Sequence, residues 1–99
     1  MTLYEITLVQ RKRGVVIKTL NKIVLPVNTV YENSGDQFYC GDLKIKTNSE
    51  YLIFTIGEKF DMFGVNSFVT KIISWKSKPN FRVVFTNEMA LEIEILEEP

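Results

Sequence analysis

The strongest constraint on the fold of this chain is an alternation of apolar and polar residues with a period of two. In segment 3–10 one set of alternate positions is apolar, and the intervening set includes Glu5 and Thr7. The three apolar positions are Tyr4, Ile6 and Leu8. Two later segments repeat the pattern, with apolar sets Phe81, Val83, Phe85 and Met89, Leu91, Ile93, Ile95. This period is typical of β-strands that bury one face, and no segment shows ten residues of helical periodicity.

Clusters of turn-forming residues separate the alternating segments. We expect turns or loops at Arg11–Gly14, Asn33–Gly35, Thr47–Glu50, Lys78–Asn80 and Asn87–Glu88. The pair Gly41 and Asp42 predicts a two-residue hairpin, because glycine adopts positive φ without steric cost.

Two segments depart from simple alternation. Val15 and Ile17 predict one short strand and Ile23–Leu25 a second one, which Pro26 either ends or marks as an edge. The segment Tyr51–Ile56 is apolar at both sets of alternate positions. This pattern is typical of a strand that is buried on both faces, so we predict a central position for it in the sheet.

These segments predict one all-β domain spanning residues 1–99, since 99 residues suffice for a single core. We expect a small antiparallel β-barrel or sandwich of six to eight short strands, with at most one short helical turn near residues 58–63. Closure into a barrel is favoured over an open sheet, because exposed strand edges invite aggregation.

The residues that most reactions need are missing from this chain. It contains no histidine and a single cysteine, Cys40, for which we expect a place in the core. It therefore lacks the usual general base and the side chains of a structural zinc site. Asp36 and Asp42 are a conceivable acid–base pair, but acidic residues at turns are normally turn formers. We expect no enzyme, no cofactor and no metal.

The segment 57–68, GEKFDMFGVNSF, concentrates aromatic residues between turn formers. In one interpretation Phe60 and Phe63 plug an open end of the barrel and exclude water from the core. In the alternative, one or more of Phe60, Met62 and Phe63 face solvent and anchor a partner protein, since aromatic residues and methionine are enriched at interface cores.

Two basic segments are candidates for contacts with a partner. Trp75 stands close to Lys76 and Arg82 across the predicted turn, a composition typical of platforms that stack single-stranded nucleic acid. Arg11 and Arg13 form a basic hairpin tip that suits phosphate or an acidic protein surface. In each case the plain alternative is a solvated turn. Sequence alone does not place the two segments together.

The C-terminal segment is acidic, with Glu88, Glu92, Glu94, Glu97 and Glu98. If the last strand is an edge, its glutamates protect it from unwanted pairing. The alternative is a negative face that docks a basic partner or mimics nucleic acid.

Together these features predict a non-catalytic binding protein that acts through a protein–protein interface, an inhibitor or adaptor from a virus or mobile element. The candidate partner-binding residues are Phe60, Met62, Phe63 and Trp75, and the candidate basic contacts are Arg11, Arg13, Lys76 and Arg82. The alternatives are a nucleic-acid-binding barrel and a protein that sequesters a small ligand or nucleotide. Self-association is also conceivable. The polar start and the lack of an apolar run of ~18 residues predict a cytoplasmic location without membrane contact.

Overall fold

A computed structural model describes residues 2–34, 39–75 and 80–96 of the chain. These residues form eight β-strands. The strands are β1 (Thr2–Lys12), β2 (Val15–Ser34), β3 (Cys40–Thr47), β4 (Tyr51–Thr55), β5 (Lys59–Phe60), β6 (Ser67–Trp75), β7 (Asn80–Phe85) and β8 (Met89–Ile95). The described residues contain no helix, so the all-β prediction is confirmed. No helix that is long and apolar enough to cross a membrane occurs in these three ranges.

The strands form a single antiparallel sheet in the order β4-β3-β2-β1-β8-β7-β6-β5. The first and last long strands, β1 and β8, are neighbours in the middle of the sheet. The sheet curls around one core without closing completely. Near the two ends of the sheet, Tyr39, the residue before β3, forms an isolated bridge with Ile73 of β6. The architecture is that of a small, incompletely closed barrel.

The inner face of the curled sheet forms the core. Each of the predicted alternating segments contributes to it, as Ile6 in β1, Val83 in β7 and Leu91 in β8 show with at most 2% exposure. The period-two prediction is therefore confirmed for these strands. It fails at the end of β8, where Ile95 is 38% exposed.

The two short strands predicted around Ile17 and Leu25 are one continuous strand, the 20-residue β2. Pro26 lies inside this strand and faces Leu3 of β1. The pairing of β2 with β3 begins only at Val27. Up to Pro26, β2 therefore has β1 as its one neighbour among the described strands. The other side of β2 is open there, so the N–H group that proline lacks on that side removes no hydrogen bond between strands. The prediction that Pro26 ends a strand is wrong, while the edge alternative fits its position.

Two other predictions about strands are wrong. Gly41 and Asp42 lie within β3 rather than in a hairpin, and Gly41 is the extra residue of a bulge opposite Asn33 and Ser34. The strand β4, predicted to be central, pairs with β3 alone among the described strands and forms one edge of the sheet. Its residues Tyr51 and Ile53 face solvent.

The helical turn considered near residues 58–63 is also absent. Lys59 and Phe60 form β5, which pairs with β6. A tight turn follows, in which Phe63 (φ 58°) and Gly64 (φ 86°) are both left-handed. The Val65 N–H group closes it by donating to the Met62 carbonyl at 2.9 Å. Consecutive left-handed residues define a type I′ turn.

Two predicted hairpin turns are confirmed, with one change in detail. Arg13 (φ 54°) and Gly14 (φ 79°) form the two-residue connection between β1 and β2. At the connection between β7 and β8, the left-handed residue is Glu88 (φ 64°), although Asn87 beside it is of the type that adopts this conformation more readily. The Asn87 side chain instead accepts a hydrogen bond from the Met89 N–H group at 3.3 Å.

Candidate functional site

A row of side chains crosses five neighbouring strand segments on the outer face of the sheet. Strand pairing sets Tyr39 beside Ile73, Ile73 beside Arg82, Arg82 beside Glu92, and Glu92 beside Thr7. Directly opposed residues of antiparallel strands point to the same face. The row therefore combines an aromatic ring, an aliphatic side chain and a charged pair on one face of the sheet.

Glu92 holds two arginines that are far apart in the sequence. The Nε of Arg82 donates to Glu92 Oε1 at 2.6 Å, and Nη1 of Arg11 donates to the same oxygen at 3.3 Å. The Nη2 of Arg11 also donates to the Gly14 carbonyl at 2.6 Å. The Glu92 side chain is 16% exposed, so these charge-assisted bonds are shielded from water. The cluster joins the predicted basic residues of the first hairpin and of β7.

Aromatic rings flank this cluster and are themselves in contact with cations. The guanidinium carbon of Arg82 lies 5.0 Å from the centre of the Trp75 ring, and Nζ of Lys71 lies 5.6 Å from that of Tyr39. Both distances are in the range of cation–π attraction. Trp75 is 38% exposed and Tyr39 is 44% exposed. We call the surface formed by Tyr39, Lys71, Ile73, Trp75 and Arg82 the Trp75 face.

A depression of about 310 Å³ lies beside the Trp75 face. Its apolar lining consists of Ile73, Val84 and Met89, and its polar lining of Arg11, Gly14, Lys71, Arg82 and Glu88. An apolar floor with charges of both signs around it suits the side chain of an amphipathic partner.

The structure separates the candidate residues of segment 57–68. Phe60 is 5% exposed and stacks on Phe54 at a centroid distance of 4.4 Å, with Phe85 at 6.0 Å. A buried ring is not presented to a partner, so the core alternative holds for Phe60. Met62 and Phe63 are partly buried against the same cluster. The aromatic residue of this segment that does face solvent is Phe68, which is 52% exposed.

The remaining basic candidates do not join the cluster in the described part of the chain. Arg13 is exposed at the tip of the turn between β1 and β2. Lys76 lies outside the described residues. Of the four basic candidates, Arg11 and Arg82 are therefore the two that the structure brings together.

The acidic strand β8 does not have the edge-protecting role that its sequence suggested. It lies between β1 and β7, so its glutamates do not protect an edge. Glu92 instead orients the two arginines. The sequence also gave no indication of Tyr39 or Lys71, because their proximity depends on the curling of the sheet. That Ile73 lies on the same face as Trp75 could be inferred from the sequence only because the two residues are two positions apart in one strand.

A second aromatic and basic patch lies on the outer face of β2, β3 and β4. Lys44 stands between Tyr31 and Ile53, and Lys46 stands beside Tyr51. The Nζ atoms of Lys44 and Lys46 lie 4.4 and 5.7 Å from the centre of the Tyr51 ring. The prediction of a central β4 concealed this patch, because it assigned Tyr51 and Ile53 to the interior.

Buried polar groups serve the fold. Cys40 is buried, as predicted, and its thiol donates to Glu32 Oε2 at 3.5 Å. Ser74 donates to the same oxygen at 3.0 Å. Burial in the apolar core raises the pKa of the Tyr4 hydroxyl above its ordinary value. Residues 2–34, 39–75 and 80–96 hold no group of three side chains suited to bind a metal, and Asp36, the proposed companion of Asp42, lies outside them.

Comparison with known protein families, curated proteins and solved structures finds no match to this chain.

Proposed function

We propose that this chain is a non-catalytic binding protein that recognises another protein through the Trp75 face. The observation that carries the proposal is the pairing of a partly exposed tryptophan with an arginine that Glu92 already holds in place. The proposal includes a role as an inhibitor or adaptor of a virus or mobile element. This part rests on the small size of the chain and on its lack of the residues that most reactions need.

The composition of the Trp75 face is that of an interface hot spot. Tryptophan, tyrosine and arginine are the residues whose truncation most often costs more than about 2 kcal/mol of binding free energy. Here Trp75, Tyr39 and Arg82 lie on or beside strands of one sheet. Because Glu92 fixes the Arg82 side chain, a partner has less rotamer entropy to remove on binding.

The same geometry supports binding over catalysis. Glu92 is the carboxylate nearest the centre of the cluster, and its Oε1 accepts bonds from two guanidinium groups. Two guanidinium groups therefore already occupy this oxygen, and it holds the cluster together. The chain also has no histidine, the usual general base near neutral pH.

The test is capture of partners from a lysate of the source cells, followed by titration of a purified partner by calorimetry. Trp75→Ala should weaken binding by about 2 kcal/mol, or roughly thirtyfold. Phe68→Ala is the matched control, because Phe68 is an exposed aromatic residue on the same strand. If both variants bind like the wild type and remain folded by circular dichroism, the Trp75 face is not the interface.

Single-stranded nucleic acid is a second candidate ligand for the same face. The observation in its favour is that Arg11 and Arg82 meet beside the exposed Trp75 ring, which is the combination that stacks bases and contacts phosphates. Two phosphate contacts, one from each arginine, predict roughly a sevenfold loss of affinity between about 50 and 200 mM salt. A protein interface anchored by Trp75 should change far less. Anisotropy of a labelled oligonucleotide at the two salt concentrations separates the two candidates.

A further inference from the structure

The strand β4 is an edge without the usual protection. Its sequence, YLIFT, contains no charged residue, no proline and no glycine. Other open edges in the described part of the chain are protected: β5 has two residues, one of them Lys59, and the open half of β2 carries Lys18, Lys22 and Pro26. Short length, lysines and prolines are the devices that keep edges from pairing. An edge that lacks them is suited to accept another strand.

The hairpin between β3 and β4 determines which backbone groups face the open edge. The Thr47 N–H group donates to the Glu50 carbonyl at 2.9 Å, and the Ile56 N–H group donates to the Gly41 carbonyl at 3.3 Å. Hydrogen-bonded pairs alternate along an antiparallel ladder, so Leu52 and Phe54 also bond to β3. The N–H and C=O groups of Tyr51, Ile53 and Thr55 therefore point away from β3. The Thr55 carbonyl confirms this direction, because it accepts a bond from the Glu58 N–H group at 3.0 Å.

We propose that a second copy of this chain pairs with this edge, β4 against β4, in antiparallel orientation about Ile53. In this register Ile53 faces Ile53 of the second copy, and Tyr51 faces Thr55 of the second copy. All three residues point their backbone groups toward the open edge. The Thr55 carbonyl already accepts from the Glu58 N–H group, so the Tyr51 N–H group of the second copy uses its second lone pair. When a strand pairs with its own copy around a twofold axis, the same surface supplies the hydrogen-bonding partners for both copies.

The side chains on the outer face fit the same register. Ile53 is 53% exposed and Tyr51 is 44% exposed, and both gain an apolar or hydroxyl-bearing neighbour across the axis. The side chains that meet across the axis are uncharged, because Lys46, beside Tyr51, and Asp42, beside Thr55, lie one strand further away. The two Lys44 residues are separated by three strand spacings, about 14 Å. At that distance salt largely screens their repulsion.

Sedimentation of the wild-type chain and of Ile53→Lys tests the proposal. The wild type should sediment as a dimer of the 11.5 kDa chain. Ile53→Lys should raise the dissociation constant by about tenfold or more, because it places two lysines side by side at the axis. Ile17→Lys is the matched control, since Ile17 is 54% exposed in the open half of β2. A monomeric wild type at the highest soluble concentration, or a dimer that Ile17→Lys dissociates and Ile53→Lys does not, overturns the proposal.

Amide hydrogen exchange on the wild type gives an answer that does not depend on any variant folding. The amides of Tyr51 and Ile53 should exchange more slowly as protein concentration rises, because they become bonded only in the dimer. The amides of Leu52 and Phe54 should be protected at every concentration, because they bond to β3. Fast exchange of the Ile53 amide at all concentrations contradicts pairing at β4.

Discussion

At the scale of single residues, Glu92 determines the arrangement of the Trp75 face. Its carboxylate accepts bonds from Arg82 at 2.6 Å and Arg11 at 3.3 Å, and the three side chains are at most 24% exposed. Removing the negative charge leaves two guanidinium groups close together and partly shielded from water. Such a change costs more than the loss of an exposed ion pair.

We therefore expect Glu92→Gln to lower the free energy of unfolding by about 1–3 kcal/mol. Glu94→Gln is the matched control, because Glu94 is an exposed glutamate two residues further along β8. The control should change stability by no more than about 0.5 kcal/mol. Urea denaturation of both variants provides the comparison, and equal effects would contradict the role given to Glu92.

Tyr4 makes stability depend on pH in the alkaline range. Burial raises the pKa of its hydroxyl in the folded chain above the ordinary value of 10.0. The folded state therefore holds this proton more tightly than the unfolded state. The corresponding stability is complete below pH 10.0 and is lost as the pH rises toward the folded pKa. Urea denaturation from about pH 8 to about pH 11 should show a shallower decline for Tyr4→Phe. Identical slopes for variant and wild type would refute this expectation.

At the scale of secondary-structure elements, β5 and the turn after it close one region of the core with aromatic rings. Phe60 stacks between Phe54 and Phe85, and Phe63 lies 6.2 Å from it. The turn orients Phe63 toward this stack at the expense of a left-handed backbone, which is unfavourable for a bulky residue. Packing of the ring compensates for that conformation.

Mutation of two phenylalanines eight residues apart should change stability to very different extents. Phe60→Ala should destabilise the fold by about 3–5 kcal/mol, because it leaves a cavity in the aromatic stack. Phe68→Ala should change stability by no more than about 0.5 kcal/mol, because its ring is 52% exposed. Thermal or urea denaturation measures both. A small effect at Phe60 would mean that the ring is not part of the core.

The strands that could be predicted from the sequence are those with one buried face and a regular register. Ile6, Val83 and Leu91 alternate with polar neighbours, and their positions follow from local pattern alone. The errors occurred where pairing changes along a strand. Pro26 interrupts no hydrogen bond because β3 joins β2 only after it, and Gly41 occupies a bulge. Local pattern contains no information about which neighbour is present at a given residue.

The candidate site was predictable only in part, for a related reason. Trp75, Arg82 and Arg11 were recognisable by residue type, but 64 residues separate Arg11 from Trp75 and their proximity depends on the order of β1, β8, β7 and β6. Glu92 connects them because it lies on the strand between β1 and β7. The apolar character of both faces of β4 suggested burial, whereas Tyr51 and Ile53 are exposed on an edge.

At the scale of the whole molecule, the fold depends on contacts between the two ends of the chain. Residues 4–10 of β1 pair with residues 89–95 of β8 in the middle of the sheet. The sheet cannot be completed until these distant segments meet. Long-range pairing of this kind slows folding, because the loop-closure entropy is lost before the contacts form.

We expect refolding on the scale of milliseconds to seconds, as for other small all-β domains, and not in microseconds. Stopped-flow fluorescence of Trp75, the single tryptophan, can follow the reaction. Glu92→Gln affects the middle of the β1–β8 ladder, so its refolding rate reports whether this pairing is formed in the transition state. Microsecond refolding would contradict the dependence on long-range pairing.

The adjacency of β1 and β8 also determines how the molecule resists a pulling force. Tyr4 pairs with Ile95, and the Leu96 N–H group donates to the Leu3 carbonyl at 2.9 Å. The start of β1 and the end of β8 therefore lie side by side at the same end of the β1–β8 ladder. Tension applied at the two ends would pull these strands apart sideways and break their hydrogen bonds one after another. Such peeling requires less force than sliding two strands past each other, where many bonds must rupture together. Separation of β1 from β8 by tension on Leu3 and Leu96 should therefore require little force, whatever the thermodynamic stability of the fold.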